Sequence, residues 1–129
     1  MKNFLLAFLL LSCMMACKKK EQTKKPLDLS GSWYVSFYQV GAADHTSDFS
    51  GYTFSFNTDS SFVATKNGVN YPGTWKYSAS DFIFNITTSG TSSLQNINED
   101  WLLILKSETE IMLDEDSTVN DEELHFRKN

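Results

Sequence analysis

From residue 29 onward the apolar side chains recur at every second position, and this period of two restricts the chain to half-buried strands. Trp33, Val35 and Phe37 alternate with Tyr34, Ser36 and Tyr38. Tyr52, Phe54 and Phe56 alternate with Thr53, Ser55 and Asn57. After a turn at Asn57-Thr58-Asp59-Ser60 the pattern resumes at Phe62 and Ala64. Gly73, Trp75 and Tyr77 form the next set, followed by Phe82, Phe84 and Ile86. Trp101, Leu103 and Leu105 stand opposite Leu102 and Ile104, Ile111 and Leu113 follow a short turn, and Leu124 and Phe126 close the chain. The alternation predicts about eight strands, near 32–40, 52–57, 61–66, 71–78, 81–87, 101–106, 110–115 and 122–128. No stretch after residue 26 carries helical periodicity.

Most connections are short, so sequential strands are expected to pair as hairpins in an all-β, antiparallel up-and-down meander. A meander with one apolar face folds into a sandwich or closes into a barrel, and closure removes its edges. The two longer loops, 41–51 and 88–100, are polar and are expected to flank a barrel mouth. Both cysteines, Cys13 and Cys17, precede the strands, so no disulfide supports them and packing alone must.

The N-terminus has a different composition. Met1-Lys2-Asn3 is a short basic start, and Phe4 to Leu11 is an unbroken apolar run. The run is too short for a stable membrane span, which needs about 20 apolar residues. A basic start, a short apolar core and a small residue before a cut define a signal peptide. Ala16-Cys17 resembles the bacterial lipobox, in which a small residue precedes a Cys that is acylated and becomes the new N-terminus. Cys13, after Leu-Ser, is a rival ending. Cys17 is preferred because a charged tail begins directly after it. Residues 1–16 are thus read as a lipoprotein signal peptide, 17–28 as a lipidated Lys-rich tether, and 29–129 as the barrel domain. Residues 18–25 carry five Lys against one Glu, which keeps the tether solvated and favours an anionic membrane surface. Three lysines after the Cys, rather than an acidic export signal, point to a periplasm-facing protein, on the outer rather than the inner membrane.

The domain reverses the charge. From residue 29 it has five Lys and Arg against fourteen Asp and Glu, a net of −9. Phosphate binding needs a basic face, so no nucleic-acid partner is expected. There is no Gly-rich phosphate loop and no cofactor is expected.

Leu29-Ser30-Gly31-Ser32-Trp33 resembles the Gly-x-Trp opening of the first strand in lipocalins and the small lipocalin-like domains of bacterial lipoproteins. The Tyr52–Phe62 hairpin, the Gly73-Thr74-Trp75 strand and a last strand running to the terminus extend the likeness over nearly all of 29–129. The resemblance implies a small lipocalin-like barrel with Gly31 and Trp33 closing one end. It also implies an Arg from near the last strand packed over that Trp by a cation–π contact, for which Arg127 is the candidate. By alternation, Arg127 points away from the face of Leu124 and Phe126. The chain is shorter than a full lipocalin, so any cavity is expected to be small or filled.

Catalysis is not expected. His45 lies in a loop and His125 on the last strand, and no Ser occupies a nucleophile elbow. Asn98-Glu99-Asp100 and Asp114-Glu115-Asp116 fall at strand ends, where solvated charge is the ordinary explanation. Asp44, His45 and Asp48 share one loop, and the run from Asp114 to Glu123 lacks the spacing of an EF-hand, so no metal site is assigned. Two functions stay open. One is a membrane-anchored binding module for a small hydrophobic ligand, with Tyr52, Trp75, Tyr77 and Trp101 as lining residues, because each joins an apolar ring to a polar handle. The other is an interaction or inhibitor-type module for an envelope protein, with a filled barrel and exposed loop residues such as Phe49 and Leu94.

Overall fold

The computed structural model describes residues 27–115 and 121–129. The leader, Cys13, Cys17, the tether through Pro26 and Asp116 lie outside the described residues. Among the described residues nine strands follow one another: β1 (Trp33–Val40), β2 (Ala43–Asp44), β3 (Thr53–Phe56), β4 (Ser61–Lys66), β5 (Val69–Ser78), β6 (Ile83–Thr88), β7 (Asp100–Lys106), β8 (Glu110–Glu115) and β9 (Glu122–Lys128). A single 3-10 turn (Thr46–Phe49) and a one-turn helix α1 (Ser92–Gln95) lie in the two long connections. From β3 to β9 each strand pairs antiparallel with the next. β1 then pairs with β3 at Trp33↔Phe54 and with β9 from Trp33↔Lys128 to Val40↔Glu122, so the hydrogen bonding closes into a ring. Closure leaves the two-residue β2 as a flap on β1 and removes the long edges that a flat meander would expose.

The ring has two ends. Leu27, the turns at 57–60, 79–82 and 107–109, and the C-terminus share the first, called here the N-terminal end. The far end carries the connections 41–52, 67–68 and 89–99. Aromatic rings fill the space between, as expected for a small barrel. Phe54, Phe62, Phe84, Trp101 and Phe126 are fully buried. Phe126 meets Phe54 at 5.2 Å and Phe56 at 5.4 Å, both edge to face, the arrangement the ring quadrupole favours.

Strict alternation fails in three places, each for a local reason. A bulge between Val35 and Phe37 shifts the β1 register, so Tyr38 turns inward and Phe37 packs outside against His125 at 5.1 Å. A second bulge between Leu103 and Leu105 exposes Ile104 and Leu105. Phe82, expected inside, lies in the β5–β6 turn with a positive φ of 59° and is exposed. β5 begins at Val69 rather than near 71, because Asn67 (φ 51°) and Gly68 (φ 76°) form a two-residue turn that matches the strand twist.

The long loops do not flank an open mouth. The 3-10 turn sets Phe49 edge-on to Tyr38 at 5.3 Å. Helix α1 is capped by Thr91, whose side chain accepts from the Leu94 N–H, and it drops Leu94 beneath the loop. Phe49, Leu94 and Ile97 are buried and plug the far end. Phe49 and Leu94, whose exposure would have favoured the interaction module, are thus interior: polar loop composition hides the few apolar residues that anchor each loop.

Candidate functional site

The segment before β1 builds the floor of the N-terminal end. The Trp33 indole N–H donates to the Leu29 carbonyl at 2.9 Å, and Trp33 is only 1% exposed. Gly31, at φ 105°, turns the chain from Leu29 into the strand, a conformation that L side chains rarely adopt. Asp28 accepts from the Ser30 N–H at 2.9 Å, which holds its carboxyl below its ordinary range, with Lys106 and Lys128 adding to the effect. Between this segment, the 57–60 turn and β5 opens a solvent-facing cleft of about 720 Å³, lined by Leu27, Asp28, Ser30, Thr58, Ser60, Trp75 and Tyr77.

Trp75 forms the cleft wall nearest the core. Its ring stacks on Phe84 at 5.5 Å and stands at right angles to Phe56, while its indole N–H donates to the Asn57 carbonyl at 2.9 Å. Tyr77, two residues on, lies on the same face, half-buried. A polar notch of about 240 Å³ continues from Asp28 and Ser30 to Lys106, Glu108 and Lys128.

The four candidate aromatics divide in two. Trp75 and Tyr77 share the cleft. Tyr52 and Trp101 help close the far end instead. The Tyr52 and Thr91 hydroxyls share a hydrogen bond of 2.8 Å, and Lys66 Nζ lies 4.7 Å over the Tyr52 ring. The Trp101 indole N–H donates to the Ile97 carbonyl at 3.1 Å. Their polar handles are thus satisfied within the fold. Arg127 does not cover Trp33. Its guanidinium lies 3.6 Å from Glu110 on the outer surface, and Lys128 Nζ stands 5.5 Å over the Trp33 ring. Lys128 pairs with Trp33 across the strands, one residue on, where alternation returns a side chain to the Trp face.

Alternation does not disclose Leu27, Asp28, Ser30, Thr58 and Ser60, because none of them lies in a strand. The one signal available is positional: a turn at 57–60 and the segment before β1 must meet at one end if β1 and β3 pair.

A second cluster lies near the far end. The Tyr38 hydroxyl donates to Glu122 Oε2 at 3.0 Å, and Glu122 is 8% exposed. Burial raises the Glu122 carboxyl, and burial followed by the Glu122 carboxylate raises the Tyr38 phenol. Burial, then repulsion from Glu122 and Glu115, pushes Glu99 up to about 7. In the 41–51 loop, Asp44 accepts from the Thr46 N–H at 2.8 Å and His45 Nδ1 lies 3.2 Å from Asp48. These side chains fasten the loop. His125 Nε2 lies 2.6 Å from Glu123 on β9. Among the described residues no three His, Cys, Asp or Glu side chains converge as a metal site.

No protein-family model matches the sequence, and no curated protein matches it. The fold is similar to the crystal structure of a DUF4847 family protein from Bacteroides vulgatus ATCC 8482. That likeness has a TM-score of 0.57 and 16% identity, and it covers 78% of this chain and 93% of that one. At this identity it shows a shared all-β fold.

Proposed function

We propose that the chain is a lipid-anchored, lipocalin-like binding module of the bacterial cell envelope, non-catalytic, taking a small hydrophobic ligand at the N-terminal end of its barrel. The cleft supports this most directly. It sets an indole, a phenol and Leu27 beside a few hydroxyls and one carboxylate, the mixture of apolar wall and sparse polar groups that ligand sites use. Because aromatic rings fill the barrel, the proposed site lies at the rim rather than in an internal cavity. Anchoring through Cys17, on the periplasmic side of the outer membrane, belongs to the same proposal and rests on the leader sequence.

Titration with anilinonaphthalene sulfonate tests the cleft. Saturable binding with quenching of Trp fluorescence is expected. Thr58→Trp, which fills the cleft without removing core, should abolish it, and Asp48→Ala, in the far-end loop, should leave it unchanged. Saturable binding that survives Thr58→Trp, or no saturable binding at all, would overturn the proposal. The filled interior then favours the second function, a module that contacts an envelope protein.

A further inference from the structure

The cleft shares the N-terminal end with an exposed apolar rim. Phe82 is 60% exposed, Ile104 57% and Leu105 43%. They are neighbours: the Leu103 N–H donates to the Phe82 carbonyl at 2.8 Å, which sets the β5–β6 turn against the bulge of β7. Folding does not account for Phe82. It leaves a large ring in water while holding a left-handed backbone (φ 59°) that suits Gly or Asn, and a bulky residue in that conformation is an outlier. A strained, solvated aromatic at a rim marks a surface that contacts something apolar.

We infer that this rim rests on the lipid bilayer, with Phe82, Ile104 and Leu105 in the headgroup layer and the cleft beside them facing the membrane. The inference rests on the lipid-anchored reading above and specifies which end of the barrel meets the lipid.

Two observations select a membrane as the occupant. The described chain begins at Leu27 on this same end, so the tether and Cys17 join the barrel there. Residues 17–26 reach roughly 35 Å when fully extended. Strands of a small barrel tilt by about 35–45°, so the ten-residue β5 rises roughly 25 Å along the barrel axis. Turning the barrel over would therefore consume most of the reach of the tether, whereas the proposed orientation needs little of it. Charge acts in the same direction. At the N-terminal end Lys76, Lys106, Arg127 and Lys128 nearly offset Asp28, Asp59, Asp81, Glu108 and Glu110. At the far end Asp44, Asp48, Glu99, Asp100, Glu115, Asp121, Glu122 and Glu123 far outnumber the one described cation there, Lys66. An anionic leaflet repels the far end and tolerates the near one. Peripheral segments bury Phe and Leu side chains, such as those of Phe82 and Leu105, at the headgroup–acyl boundary.

The test uses the full chain, purified with its lipid and reconstituted in vesicles of phosphatidylethanolamine and phosphatidylglycerol. Residues 18–129 contain no Cys, so a single introduced thiol takes a single label. An environment-sensitive nitrobenzoxadiazole dye is placed by Phe82→Cys, by Ile104→Cys, or by Val69→Cys as a control at the far end. Dye at 82 and at 104 should emit to the blue and be quenched by doxyl-labelled lipid severalfold more than dye at 69. Equal quenching at both ends, none at either, or stronger quenching at 69 would overturn the inference while leaving the anchor intact. Mass spectrometry of Cys17 reads the anchor separately. An unacylated Cys17 overturns the anchored reading and this orientation with it.

Discussion

Trp33 holds the N-terminal end of the barrel shut. It is buried, its indole N–H is paired with Leu29, and Lys128 covers its face. Trp33→Ala would leave a cavity at the seam where β1 meets both β3 and β9, at a cost of about 3–5 kcal/mol. That is a large share of the roughly 5–15 kcal/mol expected for a whole domain. Denaturant unfolding should show it, and a variant that melts within a few degrees of the parent would contradict the packing described. At this scale the sequence was legible in part. Period two identified the inward face of β3, β4, β6 and β9 correctly. It misplaced Phe37 and Leu105, because a bulge adds a residue to one strand and reverses every side chain beyond it. The resemblance placed the covering cation one residue early, at Arg127, whereas alternation already pointed that side chain to the other face.

The elements with least periodicity close the far end. The 3-10 turn and α1 are short, lie in polar stretches, and carry no helical repeat that a sequence would display. Each is held by one or two apolar anchors, Phe49 in the first and Leu94 with Ile97 in the second. Leu94→Ala should therefore cost about 2–5 kcal/mol, the range of a buried core leucine. Leu105→Ala, in a regular strand but exposed at its bulge, should change stability by less than about 0.5 kcal/mol. Equal effects from the two, by thermal or denaturant melts, would show that the loop does not pack as described. The strands themselves were legible because a half-buried sheet imprints its pleat on the sequence. The alternation passes over the Asn67-Gly68 turn and begins β5 two residues late, although this is the dipeptide that two-residue hairpins favour. The candidate site was less legible. Alternation states which face a residue occupies but not its height along the barrel, so it grouped Trp75 and Tyr77 with Tyr52 and Trp101, which lie at the opposite end.

Across the whole molecule the two ends differ in chemistry, an apolar cleft and rim at one and carboxylates at the other. The carboxylates make stability depend on pH in a defined direction. Glu99 rises from its ordinary 4.5 to about 7 in the fold, through burial and then through Glu122 and Glu115, and Glu122 shifts the same way. The folded state therefore holds these protons more tightly than the unfolded chain. That contribution is fully present below 4.5 and is lost as pH rises through about 7. Asp28, Asp44 and Asp59 shift the other way, through hydrogen bonds from Ser30, Thr46 and Ser61, and their contribution is lost only as pH falls below 3.8. The melting temperature should rise as pH is lowered from about 8 to about 5, then fall in stronger acid, and Glu99→Gln should flatten the first rise. A melting temperature that falls steadily from pH 8 to 5 would contradict the assignment. The claim that the cleft binds a hydrophobic ligand is tested most directly by the three indole N–H resonances. Each indole has its own backbone acceptor, Leu29 for Trp33, Asn57 for Trp75 and Ile97 for Trp101. Only Trp75 lines the cleft. On titration with a hydrophobic probe, the Trp75 resonance should shift saturably while those of Trp33 and Trp101 stay in place. A Trp75 resonance that does not move, or one that moves no more than the other two, would contradict the account.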